Sequence, residues 1–317
     1  MAKFKNPVDQ VKLHEVNYAT DKTVSYSQYS IWKKCPYQWY LAYAKGLQVY
    51  KSSIHTVFGT AMHEAFQEYL RIMYDVSGKK ADEFDIEGFF KERFMETYKI
   101  QLKQNKDQHF SSPAEMKEFY EDGLAIMEYF KKNRNKYLKV RGWKLIGIEI
   151  PIIEPLQNKN NMYMKGFIDF VLYDEKYDKY YIYDIKTSTR GWTNREKKDE
   201  TKLQQILLYK QYFSDLYKID IDKVEVEFLI VRRKIWESED FVIGRVQEFK
   251  PAAGKIKMKK ANDSFRTFLD ECFDSDGTFI LDKEYVKNVS KESCTWCPFN
   301  DTPHCDKNLP KKSFFGS

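Results

Sequence analysis

Charged side chains stand between apolar neighbours at two places in the middle of the chain. Asp169 follows Gly-Phe-Ile, and the later segment Tyr-Asp-Ile-Lys-Thr contains Asp184 and Lys186. Because side chains alternate along a strand, Asp184 and Lys186 would share one face and Ile185 the other. Carboxylates on neighbouring strands can hold a hard divalent cation, and a Lys beside them can orient a water that attacks a phosphodiester. The alternative is a buried structural salt bridge between Asp184 and Lys186.

Two helical segments add polar side chains that suit the same centre. Gln205 and Tyr209 are four residues apart, so a helix would place both on one face, where an amide and a phenol suit a nucleic-acid strand near a metal. His63 follows Gly59 by four residues, so a helix that approaches another element closely at Gly59 would turn His63 the same way. A lone helical His is nevertheless more often a core or surface residue than a ligand.

The cysteine spacing near the C-terminal end is that of a metal site. An intracellular chain keeps its thiols reduced, so disulfides are not expected. Cys294-x-x-Cys297 followed by Cys305 supplies three ligands, and a tetrahedral shell needs a fourth. The candidates for that fourth ligand are Cys35, Cys272 and His304. Spacing leaves open both structural zinc and an iron–sulfur cluster, and by itself it slightly favours zinc.

The composition is that of a globular protein. Of the 317 residues, 42% are hydrophobic and 32% are charged, and no apolar run approaches the roughly 18 residues of a membrane helix. The first residues lack the apolar core of a signal peptide. We therefore expect a soluble protein without a membrane partner, located in the cytoplasm, or in the host cytoplasm if the chain is encoded by a phage.

Cations are clustered along the chain, whose net charge is +6. The clusters lie between Lys131 and Lys144, at Arg232 to Lys234, and at Lys255 to Lys260. Clustered cations are typical of proteins that bind the phosphate backbone, and the alternative is a set of solvated helix faces. The pattern favours a nucleic-acid partner.

Hydrophobic periodicity divides the chain into helices and strands. Helices are predicted over 27–43 with Ser27 as N-cap, from about Phe58, over 86–105, over 113–138 with a capping box at Ser112, over 198–218 and over 258–275. Strands are predicted over 144–154, 162–174, 180–187, 224–233 and 241–249.

Four segments follow from this order of elements. They are a polar lead-in (1–24), an N-terminal helical region with Cys35 and His63 (25–140), a central core (141–255), and a C-terminal helix with the cysteine cluster (256–317). The last segment is expected to pack back on the N-terminal helix, so that the chain forms one structural unit.

Taken together, the motifs resemble the RecB-type branch of the PD-(D/E)XK nuclease superfamily. The resemblance rests on Gly59-x-x-x-His63, Gly166-Phe-Ile-Asp169, Asp184-Ile-Lys186 and Gln205-x-x-x-Tyr209, in the family's order. The early segment Ser25-Tyr-Ser27, the segment Cys35-Pro36-x-x-Trp39-Tyr40 and the three late cysteines are similar to the iron–sulfur nucleases of CRISPR adaptation and to AddB-type subunits of helicase–nucleases. The resemblance implies a restriction-endonuclease-like α/β core, in which a mixed central sheet is flanked by helices, with an N-terminal helical region and a C-terminal metal-cluster tail.

The resemblance also implies roles for individual residues. Asp169, Asp184 and the backbone carbonyl of Ile185 would hold Mg²⁺ or Mn²⁺, with His63 as a further ligand. Lys186 would position the attacking water, and Gln205 and Tyr209 would orient the nucleic-acid strand and the Lys. Glu149, in the first core strand, is a weaker additional candidate.

For the cysteines, the resemblance favours a four-iron, four-sulfur cluster over zinc. Its ligands would be Cys35, Cys294, Cys297 and Cys305. The gap between Cys297 and Cys305 is longer than the family's, which leaves structural Zn²⁺ as the alternative. Cys272 is expected to be a buried small apolar residue.

The function implied is that of a metal-dependent deoxyribonuclease, most simply an exonuclease acting on DNA ends or single strands in recombination, repair or processing. The alternatives are a structure-selective endonuclease on the same fold and a non-catalytic nucleic-acid-binding module. The chain contains no G-x-x-x-x-G-K-[ST] motif, so a helicase or a recombination protein is a possible partner.

Overall fold

The computed structural model of the chain describes residues 4–47, 52–138, 141–235, 237–238, 241–242 and 244–305. The chain forms two compact units. The first comprises Met1–Leu13, Ser52–Ile152 and Phe167–Lys259, and the second comprises His14–Lys51, Ile153–Gly166 and Lys260–Ser317. None of the helices within the described ranges is long and apolar enough to cross a membrane.

The helices and strands follow one another in an order close to the predicted one. The helices are α1 (Tyr26–Lys34), α2 (Pro36–Trp39), α3 (Ile54–Asp75), α4 (Gly78–Glu83), α5 (Ile86–Gln104), α6 (Pro113–Tyr137), α7 (Glu200–Tyr217), α8 (Lys255–Cys272) and α9 (Lys291–Cys294). The strands are β1 (Lys22–Val24), β2 (Trp143–Pro155), β3 (Met162–Asp174), β4 (Lys179–Ser188), β5 (Val224–Arg232), β6 (Glu237–Ser238), β7 (Phe241–Val242) and β8 (Val246–Phe249).

Local capping sets most of the helix starts. The Ser112 side chain accepts a hydrogen bond from Glu115 N at the start of α6, which confirms the predicted start of that helix. Helix α3 begins at Ile54 rather than near Phe58, because the Ser53 side chain accepts from a backbone N–H of the first turn. The short helix α4 was not predicted.

The first predicted helix is wrong in two respects. Its N-cap is Ser25, whose side chain accepts from Gln28 N, and not Ser27. The helix is also interrupted, because Cys35 adopts an extended backbone (φ −157°, ψ 104°) between α1 and α2, although helical structure then continues through α2 and a π-helical turn, Tyr40–Ala44, past the predicted end at Tyr43. Pro36 explains the break, since its ring disfavours helical geometry at the residue before it.

Helix α3 lies at the centre of the core of the first unit. Its buried face packs against α5 and α6, and the rings of Phe66 and Phe130 meet edge to face with centroids 4.6 Å apart. Full burial of such a ring contributes about 1.5–3 kcal/mol. A Cβ at Gly123 of α6 would lie 2.3 Å from the Phe90 ring, so only glycine allows this close approach.

The sheet of the first unit is mixed. In the order β3-β4-β5-β8, the β3–β4 and β5–β8 pairs are antiparallel and the β4–β5 pair is parallel, while β2 also pairs with β3. Helices α3 and α7 pack on β4. The predicted mixed sheet flanked by helices is therefore confirmed, in agreement with a restriction-endonuclease-like α/β fold.

The last predicted strand, over 241–249, is wrong as one continuous element. Phe241–Val242 pairs instead with Glu237–Ser238, and only Val246–Phe249 joins the main sheet beside β5. A further strand was missed, since Lys22–Val24, within the predicted polar lead-in, pairs in parallel with the start of β3 in the second unit.

The second unit is held together by aromatic side chains from distant parts of the chain. Tyr29 of α1 packs against Phe265 and Phe268 of α8, with ring centroids 5.4 and 5.7 Å apart. The fully buried Trp39 of α2 also contacts Phe268 and lies edge to face with Phe273. These contacts fix α1 and α2 against the C-terminal helix.

Candidate active site

The pairing between β3 and β4 ends at the position that carries the two carboxylates. The last paired residues are Phe170 and Tyr183, so Asp169 and Asp184 stand opposite each other just beyond the ladder. There the Ile185 N–H donates to Asp169 Oδ2 at 2.6 Å rather than to a backbone carbonyl. Because the N–H and C=O of a strand residue point to the same edge, the Ile185 carbonyl also faces the gap beyond the ladder, beside Asp169 and Asp184, which we call the opening.

Asp184 and Lys186 share one face of β4, as the alternation predicts. Lys186 Nζ is 2.8 Å from Asp184 Oδ2, so the salt bridge that the alternative interpretation expects is present. Among the described residues, however, no donor makes a hydrogen bond of acceptable geometry to this Asp184 oxygen, although only 2% of the residue is exposed. A buried carboxylate oxygen with incomplete hydrogen bonding is the kind of donor that a hard divalent cation fits.

Lys186 is held from a second side by helix α7. Its Nζ donates to Gln205 Oε1 at 3.0 Å, and Gln205 Nε2 in turn donates to the Tyr209 hydroxyl at 3.4 Å. Asp199 is the N-cap of helix α7, and its side chain accepts a hydrogen bond from Thr201 N. The structure therefore brings Lys186, Gln205 and Tyr209 together in one chain of contacts.

His63 reaches the same opening from α3. Its Nδ1 is 3.6 Å from Asp169 Oδ2. Burial lowers the pKa of His63, and Lys186 lowers it further, while Asp184 and a hydrogen bond with the Ile185 backbone act in the opposite direction. The neutral imidazole that results is the form that binds metals.

Burial and like charge dominate the electrostatics of the opening. Burial raises the pKa of Asp169 well above its usual range, and the neighbouring Asp184 raises it further. Burial lowers the pKa of Lys186, but Asp184 and Asp169 more than compensate, so that the net shift is upward and the ammonium is retained. Several ionisable groups whose pKa values are shifted by burial and by one another, gathered in one opening, are typical of a functional site.

The structure adds Gln67, which the sequence did not suggest. Gln67 lies one turn after His63 on α3, and its Nε2 donates to Glu149 Oε1 at 2.5 Å and to the Asp169 backbone carbonyl at 3.4 Å. Its spacing of four residues from His63 was the available signal. Glu149 itself has a left-handed backbone (φ +49°) within β2, which is uncommon for a residue other than glycine.

The side chains that could hold a divalent cation are therefore His63, Asp169 and Asp184, together with the Ile185 carbonyl. Within the part of the chain that the structure describes, no group of three or more His, Cys, Asp or Glu side chains is arranged to hold a metal ion. At this opening, His63 and Asp169 lie close together, whereas the carboxylate of Asp184 is paired with Lys186.

Four of the five cysteines surround one small cavity in the second unit. The cavity has a volume of about 20 Å³, and its lining includes Cys35, Cys294, Cys297 and Cys305. The other two candidates for the fourth ligand, Cys272 and His304, do not line it. Cys272 is fully buried, as its predicted apolar role requires. The extended backbone of Cys35 lies at the corner between α1 and α2.

Many of the clustered cations lie against acidic side chains. Arg233 Nη1 donates to Asp122 at 2.7 Å and to Glu118 at 2.9 Å, and Lys234 contacts the same two carboxylates. In the stretch from Lys131 to Lys144, ion pairs join Lys132 to Glu128, Arg134 to Asp82 and Lys144 to Glu175. These pairs reduce the positive charge that the clusters present.

Comparison with known proteins agrees with this geometry. The family model described as the PD-(D/E)XK nuclease superfamily matches residues 23–302. The match includes every residue of the opening described above, and it ends just before Cys305. No curated protein matches the chain at a significant level. Since the matched region is most of the 317 residues, the chain belongs to the PD-(D/E)XK nuclease superfamily.

Proposed function

We propose that the protein is a RecB-like deoxyribonuclease that requires Mg²⁺ or Mn²⁺ and acts as an exonuclease on DNA ends or single strands. The observation that carries the proposal is the position of Lys186. Its ammonium lies between Asp184 and Gln205, at the edge of an opening that also contains Asp169 and His63. Membership of the nuclease superfamily gives this arrangement its chemical meaning.

Each residue of the opening has a defined task in hydrolysis. A divalent cation, when bound by Asp169, Asp184, His63 and the Ile185 carbonyl, would supply Lewis acidity at the phosphodiester and lower the pKa of a water. Lys186 donates hydrogen bonds to that water and to a phosphate oxygen, where it stabilises the charge that develops.

Residues around the opening keep this arrangement in place. Gln205 fixes the direction of the Lys186 ammonium, and Tyr209 supports Gln205. Gln67 holds Glu149 beside the Asp169 backbone.

The cysteines have a structural role in this proposal. Cys35, Cys294, Cys297 and Cys305 would hold a four-iron, four-sulfur cluster, with structural Zn²⁺ as the alternative. Either group would join the corner between α1 and α2 to the C-terminal segment, and closing so long a loop removes conformational entropy from the unfolded chain. No redox chemistry is required.

Two alternatives use the same observations. A structure-selective endonuclease would need the same opening, and a non-catalytic nucleic-acid-binding module would not need the complete set of Asp169, Asp184 and Lys186. We further propose that the protein acts in the cytoplasm in DNA recombination or repair, with a helicase or a recombination protein supplying any unwinding.

End-labelled linear DNA and closed-circular DNA, incubated with Mg²⁺ or Mn²⁺, separate these possibilities. We expect progressive shortening of the linear DNA only. Asp184→Ala should abolish cleavage while the fold is kept, whereas Asp215→Ala, which removes an exposed carboxylate on α7, should not. Lys186→Ala should lose turnover but retain cation binding, since the oxygen ligands remain.

Cleavage of the circular DNA would favour the endonuclease. A wild-type protein that binds DNA and cuts neither form would favour the non-catalytic module. Cation-dependent cleavage by the Asp184→Ala variant would rule out the assigned centre.

A further inference from the structure

The first unit contains a cavity that begins directly after Lys186, at the end of β4. It has a volume of about 130 Å³ and is lined by His55 and Phe58 of α3, Phe119 of α6, Thr187 and Thr189 after the catalytic Lys, and Arg233 after β5. None of these residues takes part in the chemistry described above. At roughly 30 Å³ per water, the cavity could hold about four waters, or one flat ring system of similar volume.

Two elements join the cavity to the catalytic opening. Thr187 directly follows Lys186 on β4, and Thr189 lies one residue past the end of that strand, so at about 3.3 Å per residue the backbone of Thr189 is within about 10 Å of that Lys. On α3, Gly59 lies one turn before His63, and a Cβ at Gly59 would be 3.4 Å from Thr187 Oγ1. A strand with a stacked rise of about 3.4 Å per nucleotide would pass from the opening to the cavity within about three nucleotides.

The walls of the cavity suit a flat polar ring. The Arg233 guanidinium lies 3.9 Å from the centroid of the Phe119 ring, and the exposed His55 ring meets Phe119 edge to face at 5.0 Å. The hydroxyls of Thr187 and Thr189 add hydrogen-bonding groups to the lining. Aromatic rings are surfaces on which unpaired bases stack, and the exposed His55 ring offers such a surface, whereas Phe58 and Phe119 beneath it are each only 2% exposed.

The charges argue against a phosphate site. Arg233 lines the cavity and Lys234 follows it, and both contact the carboxylates of Glu118 and Asp122. These two carboxylates offset the charge of the two cations and weaken their attraction for an anion. A neutral nucleobase meets no such obstacle.

We propose that this cavity, which we name the base subsite, binds one unpaired nucleobase of the substrate strand, within about three nucleotides of the scissile phosphate. The inference rests on the proposed function, because it takes the catalytic opening to act on DNA. The base subsite also implies that the DNA is single-stranded where it enters the cavity. A base in a duplex would first have to leave its pair and its stack, which carries an energetic penalty.

An abasic scan tests the base subsite. A set of single-stranded oligonucleotides each carries one abasic nucleotide at a different position, and the rate of cleavage is measured at every bond. For the wild-type protein, cleavage should slow about fivefold or more at one fixed offset from the abasic position, because the stacking of one base is lost. His55→Ala should cut intact DNA more slowly than the wild-type protein, and in this variant the abasic nucleotide should no longer slow cleavage at that offset.

The matched control is Thr60→Ala, which changes another exposed residue of α3 that does not line the cavity. This variant should still cut more slowly at that offset. Equal cleavage rates at all offsets for the wild-type protein, or an unchanged effect of the abasic nucleotide in His55→Ala, would overturn the proposal. A second set of oligonucleotides carries one uncharged methylphosphonate linkage at each position in turn. If this linkage slows cleavage at a fixed offset while the abasic nucleotide has no effect, the cavity binds a phosphate and the proposal is overturned.

Binding of the same oligonucleotides, measured by fluorescence anisotropy with Ca²⁺ in place of the activating cation, separates the subsite from turnover. If no oligonucleotide is cut, the proposed function fails, while weaker binding of abasic DNA to the wild-type protein but not to His55→Ala would still support the subsite. Equal affinity for intact and abasic DNA in this assay would overturn it.

Discussion

Replacing Gln205 by Met should lower the turnover of DNA about 10- to 100-fold and leave the fold intact. The change keeps the length of the side chain but removes the acceptor that receives the Lys186 ammonium at 3.0 Å. A hydrogen bond to a charged group contributes about 1.5–3 kcal/mol, and about 1.4 kcal/mol corresponds to a factor of ten in rate. Lys186 would then be held by Asp184 alone, and its ammonium would turn away from the water that it must orient.

The same geometry predicts a smaller effect one step further along the chain of contacts. Tyr209→Phe removes a partner of Gln205 at 3.4 Å, which is near the outer limit of a hydrogen bond and contributes only about 0.5 kcal/mol. Turnover should therefore fall only about twofold. The order of the two effects depends on these two distances and not on the overall stability of the protein.

The assay is single-turnover cleavage of end-labelled DNA, with thermal unfolding measured on the same samples. The matched control is Gln211→Met, which removes an amide on the same helix that donates to Asp215 at 2.9 Å, away from the opening. It should keep wild-type turnover. A larger loss in Tyr209→Phe than in Gln205→Met, or equal losses in Gln205→Met and Gln211→Met, would refute this account of Lys186.

Two further predictions concern the cysteines and the sheet. Cys35→Ser should lower the iron content of anaerobically purified protein as strongly as Cys297→Ser, whereas Cys272→Ser should not, since Cys272 does not line the cavity; unchanged iron in Cys35→Ser would contradict this. Burial raises the pKa of Glu227, so the folded state holds its proton more tightly than the unfolded state and the protein loses stability as the pH rises. Glu227→Gln should therefore raise the free energy of unfolding at pH 8, measured with urea. The gain should disappear as the pH is lowered towards 4.5, the ordinary pKa of a Glu, and an equal gain at pH 8 and near pH 4.5 would argue against this assignment.

Features that depend on local pattern could be predicted from the sequence. The alternation along β4 placed Asp184 and Lys186 on one face, and the cap at Ser112 marked the start of α6. The mixed sheet followed from the resemblance that these motifs carry. The break at Cys35 was also readable in principle, because Pro36 disfavours a helix before it, but the apolar spacing runs through this position and suggested continuity.

Features that depend on contacts between distant residues could not be predicted. The bond from Gln67 to Glu149 joins a helix to a strand far along the chain, and only the folded backbone reveals it. The same is true of Arg233, whose partners Glu118 and Asp122 lie more than a hundred residues earlier. A cluster of cations in the sequence therefore carries no information about the acids that fold against it.

The end of the β3–β4 ladder has a consequence for how the site tolerates mutation. The carbonyl of Ile185 faces the opening because pairing stops at Phe170 and Tyr183. Any amino acid at position 185 supplies the same oxygen, so point substitution cannot delete this proposed ligand. A one-residue shift in the register of β4 would turn the Ile185 carbonyl to the other edge of the strand, but the neighbouring residue would then present its own carbonyl in the same place, while Asp184 and Lys186 would move to the opposite face. The site thus contains one proposed ligand that neither an alanine scan nor a shift in strand register removes, because the backbone itself supplies it.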